Sequence, residues 1–416
     1  MSKIINKKKY TVHLLFTGNG FGGSGKRFMD ISLYIASPNR LFKIYTSDSV
    51  RKRLYQQFGD IKNKYIDFII IGESYKSQKE FLSNSKNAKK LLKKNYKKGD
   101  IVHIHGINPF IPFWKYNYLY SYVCMYLPFT NLVNKYIKKK FKSDQFLSIK
   151  NKKIKKVNSS ILKNLNNFKT YFLVNIKQIL LILMADHIDI LNPQVYLLIK
   201  KYFSKKKISC TKGIAPAFFK RNIIKKKYKE NRIIFLGRYD KQKGIEKLFS
   251  IIPKLSKFCF LNEKYCQIDL IGEGSIEEDI FDAKKYCNNY FKIRNYWSDS
   301  IVEDLNSAKI FLSIQDYSNY PSRSLVEAMS LGLIPIVSNS GESKLMLPLN
   351  YKYLIAENNL ELNLYLAIIS IIQLSDEEIE RLSAYILNFA KKRFSLSRHT
   401  QYYSNLYDKL ARFSEK

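Results

Sequence analysis

Three observations predict an α/β protein of two domains, each a doubly wound parallel sheet. Strand-like apolar runs alternate with helix-like amphipathic runs, the pattern of successive βα units. Glycine-bearing turns follow several of these strands, at the sheet end where such folds place their ligands. The 416 residues exceed the roughly 250 to 300 at which one core stops growing.

Residues 10–17 run apolar, GNGFGGSGK (18–26) follows, and 27–36 is amphipathic. This reads as strand, glycine-rich turn and helix. Gly20, Gly22 and Gly23 let backbone approach a ligand closely, although the spacing is not a regular G-x-G-x-x-G followed by an acid. The alternation continues with a strand at 42–46, a basic helix from 50, a strand at 65–71 and a lysine-rich helix at 85–98. Residues 100–106 read DIVHIHG. Strand alternation puts His103 and His105 on one face, and Gly106 opens the turn. A histidine at this end of a strand serves either a ligand or the core.

Between 107 and 169 the alternation is lost. Aromatics crowd 109–129; beyond them Leu132, Val133, Tyr136, Ile137 and Phe141 share one helical face, with lysines on the others. Such a segment suits an anionic membrane surface, and equally a solvated lysine-rich loop. A helix at 174–185, a strand at 187–191, a helix at 193–203 and a strand at 207–211 follow. The domains expected are residues 1–212, a linker at 213–230, residues 231–390, and a closing helix within 391–416.

The second half opens with a strand at 232–236, GRYDKQKG (237–244) and a helix with Ile245, Leu248, Phe249, Ile252 and Leu255 at helical spacing. A strand at 267–271 runs into GEGS, and helix 276–287, strand 291–296, helix 299–306 and strand 309–314 complete the alternation. Then comes NYPSRSLVEAMSLGLIPIVSNSGE (319–342). Pro321 fixes a turn, Ser322 caps a helix through 324–329, and Gly332 ends it before a buried strand at 334–337. First-turn amides, here Ser324 and Leu325, lack helical partners and carry partial positive charge, so phosphate is a natural ligand. Glu327 offers a carboxylate to a pair of ribose hydroxyls; the alternative is a packed helix with a solvated Glu. Arg238 and Lys243 flank the first turn of this half, and Gly272 lies in the second. Two cations and a helix start at one sheet end suit a diphosphate.

Charge divides the chain. Residues 1–230 hold 48 Lys+Arg against 11 Asp+Glu, whereas residues 231–416 hold 24 against 23, out of a net +38. The first half therefore expects an anionic partner. Five cysteines without C-x-x-C spacing favour reduced thiols in a cytosolic protein. No signal peptide or membrane span is expected; the greasiest run, 171–184, contains Lys177 and is shorter than a bilayer requires.

Over residues 230–345 the sequence resembles the family 4 retaining glycosyltransferases of GT-B architecture. GRYDKQKG is similar to their G-R-x-x-x-x-K-G segment, IGEGS to their G-x-G turn, and NYPSRSLVEAMSLGLIPIVSNSGES to their E-x7-E region. GFGGSGK, DIVHIHG and the tail FSLSRHTQYYSNLYDKL match more loosely. The resemblance implies two Rossmann-like domains facing across a cleft, the second holding a nucleotide-sugar donor and the first a glycan or lipid-linked acceptor. It implies that Arg238 and Lys243 hold the diphosphate, that Glu327 binds the ribose, and that no metal or other cofactor is needed. Gly22, Gly23, Gly272, Ser324 and Leu325 complete the expected donor contacts. Asn319 stands where relatives carry the first Glu, which touches the transferred sugar. Relatives often carry a histidine in the stretch matching YVCMYLPF (122–129), where none stands, leaving His105 as the candidate for that role.

The expected activity is retaining sugar transfer in cell-surface polysaccharide or glycolipid synthesis. The expected location is cytoplasmic, with the basic half attached peripherally to the inner face of the membrane. The rival reading is an inactive glycosyltransferase-like module that binds a polyanion such as nucleic acid. Against it, the basic blocks lack the aromatic interleaving of a single-strand groove, and no nucleic-acid partner is expected.

Overall fold

The computed structural model describes residues 9–16, 23–59, 61–73, 78–105, 116–122, 180–202, 208–211, 231–239, 243–274, 277–298, 300–317 and 320–413. The chain forms two compact units. The first comprises Met1–Thr211 together with Tyr403–Lys416, and the second comprises Lys212–Tyr402.

In the first unit the elements are β1 (Tyr10–Leu15), α1 (Gly23–Ile35), β2 (Arg40–Thr46), α2 (Asp48–Phe58), β3 (Ile66–Ile70), α3 (Gln78–Asn95), β4 (Ile101–His105), β5 (Asn117–Tyr122), β6 (His187–Ile190), α4 (Pro193–Tyr202) and β7 (Ile208–Cys210). Their sheet has the order β3-β2-β1-β4-β5-β6-β7, and every pairing is parallel. Parallel strands covered on both faces need apolar residues on both, which is why Val12, Leu14 and Leu15 of β1 and Ile101, Val102 and Ile104 of β4 are all buried. Ser47 caps α2 by accepting from the Val50 amide at 3.5 Å.

The last helix of the chain, Leu396–Phe413 (α11 below), supplies its end from Tyr403 onward to this unit. Its polar side chains meet buried partners on the sheet. Arg40 Nη2 donates to Asp408 Oδ1 at 2.6 Å, Tyr10 OH donates to the same oxygen at 2.7 Å, and Asn117 Nδ2 donates to the Leu410 carbonyl at 2.8 Å. Tyr407 OH lies 2.7 Å from His103 Nδ1, and the Phe28 ring stands edge-on to the same imidazole. His103, fully buried, therefore serves the core.

In the second unit the elements are β8 (Asn231–Leu236), α5 (Ile245–Leu261), β9 (Cys266–Ile271), α6 (Glu277–Lys284), β10 (Phe291–Tyr296), α7 (Ile301–Asn306), β11 (Ile310–Ser313), α8 (Arg323–Ser330), β12 (Ile334–Ser338), β13 (Leu354–Ile355), α9 (Leu360–Ile372) and α10 (Asp376–Arg393). The sheet order is β10-β9-β8-β11-β12-β13, again parallel at every pairing. Chain order thus reverses between β8 and β11, leaving the crevice of a topological switch point at their carboxyl ends. One continuous core holds the sheet and its helices, with Ile233, Ile268, Ile310 and Ile336 from the strands and Leu248, Val326, Leu364 and Ile386 from the helices all buried. A capping box at Ser375 and Glu378 starts α10. Among the described residues no helix is long and apolar enough to cross a membrane.

Candidate functional site

The switch point of the second unit is built from backbone packed on backbone. A Cβ on Gly272 would lie 2.0 Å from the Gly237 carbonyl, and one on Gly274 would lie 2.3 Å from that of Tyr239. Glycine is therefore required at both places for the turn after β9 to rest on the turn after β8. Gly237 N–H donates to the Ile271 carbonyl at 3.0 Å and Tyr239 N–H to that of Glu273 at 2.8 Å. Tyr239 OH reaches the Leu270 carbonyl at 2.7 Å, and burial pushes this phenol up to about 12. Arg238 lies between these two pinned residues, so its side chain is left exposed at the carboxyl end of β8.

Lys243 and the start of α5 come next. Gly244, at φ 75°, is the N-cap, and a Cβ there would meet the Ile314 carbonyl at 2.0 Å. The helix start is thereby seated against the end of β11, the strand across the switch point. Lys243 is half-buried, its Nζ 5.9 Å from the centre of the Tyr317 ring. One turn into the helix, Lys247 pairs with Asp316, and burial lowers the pKa of the Lys247 amine.

The loop from β11 to α8 is held from the neighbouring strand end. Ser338 Oγ and Ser340 Oγ both donate to the Gln315 carbonyl, at 2.7 and 2.9 Å. At the start of α8, Ser322 is the N-cap and its Oγ accepts from the Leu325 amide at 3.4 Å. The Leu325 N–H, one of the expected donor contacts, is thus engaged by the cap. Glu327 is buried rather than solvated, and its Oε1 accepts from Arg323 Nε at 2.7 Å.

Arg238, Lys243, Gly272, Ser324, Leu325 and Glu327 thus lie in turns and a helix start that follow β8, β9 and β11, all at one end of one sheet. Asn319 and Gly22 lie outside the described residues. In the first unit Gly23 is the first residue of α1 and His105 the last of β4, with its side chain outside those described. Sequence reasoning did not single out Arg323, Lys247 or the Ser338–Ser340 clamp. Only Arg323 had a readable signal, its four-residue spacing from Glu327.

Two parallel, doubly wound α/β units with a glycine-packed switch point in the second define the GT-B class of fold. Residues 217–388, within the second unit, match the family model described as Glycosyl transferases group 1. Among solved structures, a glycosyltransferase from Rickettsia africae ESF-5 is similar with a TM-score of 0.63 and 17% identity, over 97% of this chain and 98% of that one. WaaG, a glycosyltransferase involved in lipopolysaccharide biosynthesis, is similar with a TM-score of 0.65 and 13% identity over 95% and 99%. Anabaena HepE in complex with UDP and glucose gives 0.60 and 12% over 95% and 99%. At these identities the likeness is one of fold. No curated protein matches the chain by sequence.

Proposed function

We propose that the protein is a retaining glycosyltransferase that moves a sugar from a nucleotide-sugar donor to a glycan or lipid-linked acceptor. The observation that carries this reading is the glycine-packed switch point, which presents Arg238 outward and seats Lys243 and α5 against the end of β11. The difficult step is departure of a nucleoside diphosphate that gathers negative charge as the glycosidic bond breaks. Arg238, Lys243 and the first turn of α8 stabilise that charge before an acceptor attacks, which is electrostatic preorganisation. With the Leu325 amide engaged by Ser322, the helix contribution falls to the preceding amide, Ser324. Glu327 receives the ribose hydroxyls, and Asn319 takes the role of the relatives' first Glu toward the transferred sugar.

These cations supply the charge that a metal ion brings to other transferases, so the reaction needs no metal. We further propose that the acceptor belongs to the first unit. The charge of +37 over residues 1–230, most of which belong to that unit, suits a lipid-linked glycan on an anionic membrane face. This gives cytoplasmic, peripheral attachment and a place in cell-surface polysaccharide or glycolipid synthesis. The test is a mass-spectrometric screen of nucleotide sugars for binding and turnover, run with and without EDTA. One nucleotide sugar should be turned over with retained anomeric configuration, unaffected by the chelator. Turnover restored only by Mg²⁺ or Mn²⁺ would contradict the leaving-group chemistry, and tight nucleic-acid binding without turnover would favour the inactive polyanion module.

A further inference from the structure

At the start of α8, Arg323 Nε donates to Glu327 Oε1 at 2.7 Å, one helical turn on, and each side chain is only 9% exposed. Arg323 is the first residue of the helix. A cation there is opposed by the partial positive charge of the helix terminus. The sequence nevertheless holds a buried guanidinium at this point, matched by a buried carboxylate four residues later.

Two consequences follow for a ligand at the switch point. Helical side chains lean toward the N-terminus, so the Glu327 carboxylate is carried back over the first turn of α8, beside the place proposed for the diphosphate. A carboxylate alone there would repel that diphosphate; the Arg323 charge offsets the repulsion. A glutamate side chain is also free about three bonds, and binding that must first order it is weakened by the lost freedom. The Nε–H bond fixes the carboxylate beforehand through Oε1 and leaves Oε2 to accept from a hydroxyl.

We propose that Arg323 is the positioning residue that sets Glu327 for ribose, so that the buried Arg323–Glu327 pair makes this site select ribonucleotides over 2′-deoxyribonucleotides. The inference rests on the donor-site reading above and adds to it a specificity determinant and the residue that maintains it.

Calorimetry on the full chain tests the pair. Titrations with UDP, GDP and ADP identify the diphosphate that the wild type binds most tightly, and its 2′-deoxy counterpart is then titrated alongside. The wild type should prefer the ribonucleotide by tenfold or more. In Arg323→Gln the preference should fall to within about twofold, because the carboxylate is no longer held. In Arg323→Lys the charge remains but the planar Nε donor is lost, so affinity for the 2′-deoxy diphosphate should stay near wild type while that for the ribonucleotide falls to meet it. Lys also keeps the buried charge matched, so it decides the matter if Arg323→Gln fails to fold. A wild-type preference in either folded variant overturns the role of Arg323 and leaves the donor site standing. A wild type that binds all three diphosphates without preferring ribose overturns the Glu327–ribose contact, and one that binds none overturns the donor-site reading itself.

Discussion

The two units share a strand order up to their sixth strand, yet they use charge at the switch point in opposite ways. In the first, the helix that follows the first strand buries its arginine. Arg27 is 2% exposed, donates from Nη2 to Tyr403 OH at 2.7 Å, and stands 3.9 Å from Asp189 Oδ2, to which Tyr403 OH donates at 2.5 Å. Thr211 Oγ1 holds the other Asp189 oxygen at 2.7 Å. In the second unit the turn after the first strand pins Gly237 and Tyr239, and the Arg238 side chain is exposed. One topology therefore holds one arginine inside the core and presents another at the surface.

The largest expected effect breaks the clasp. Asp189→Ala leaves the Arg27 guanidinium buried opposite no carboxylate, and breaking a buried pair from one side costs about 3–5 kcal/mol. Urea unfolding should show that loss. A midpoint close to wild type would mean that the clasp contributes little and that the contrast between the two arginines is only apparent.

Removing Arg238 or Lys243 should act on function. Charge-assisted hydrogen bonds are worth about 1.5–3 kcal/mol, so Arg238→Ala or Lys243→Ala should each lower kcat/KM by roughly tenfold or more. Arg238→Ala, a change at an exposed side chain, should alter the stability read from urea unfolding by no more than about 0.5 kcal/mol. Unchanged kinetics in both variants would remove the diphosphate from this turn.

Acid should weaken the first unit in particular. His187 is buried against Ser209 Oγ at 2.7 Å, and burial lowers its pKa to about 4. Burial also lowers that of His13, against the opposing pull of Asp100. A depressed histidine is neutral when folded, and the unfolded chain takes up its proton below about 6.5. Stability is then complete above that pH and falls as pH drops toward 4, by about 2 kcal/mol for His187 between pH 7 and 5. His187→Gln should flatten part of that dependence, measured as the urea midpoint at the two pH values. An equally steep dependence in the variant would move the cause to another group.

The fold was largely legible because parallel sheets repeat one pattern, and the strands and helices of residues 231–338 follow the apolar periodicity closely. What periodicity does not carry is placement across the sheet. Nothing local in β8 says that β11, rather than β9 alone, will lie beside it, and the switch point depends on that. The strand β5 escaped notice because NYLYSY is mostly tyrosine and polar residues; it pairs between β4 and β6. His103 and His105 alternate onto one face, but the role of His103 was fixed by Tyr407, 304 residues away. At the site, glycines and cations could be read as a phosphate-binding pattern. The buried state of Glu327 could not, since a Glu one turn into a helix reads as solvated until its arginine and its neighbours are in place.

The charge contrast between the halves gives the smallest effect per residue. If the first unit meets an anionic membrane, liposomes containing anionic lipid should bind the wild-type protein, neutral ones should not, and salt should release it, because the attraction is screened beyond about 10 Å at 0.1 M. Each lysine near such a surface contributes about 1 kcal/mol. Lys138→Gln, Lys139→Gln, Lys140→Gln and Lys142→Gln should therefore each weaken liposome binding by roughly fivefold. These lysines lie outside the described residues and are chosen from the run KYIKKKFK alone. Their replacement should leave nucleoside diphosphate affinity unchanged, since the donor residues belong to the second unit. Lysine variants that lose donor affinity and liposome binding together would show that the two halves do not divide the work as their charges suggest. Wild-type protein that ignores anionic liposomes at low salt but binds soluble nucleic acid tightly would assign the basic half to a polyanion instead.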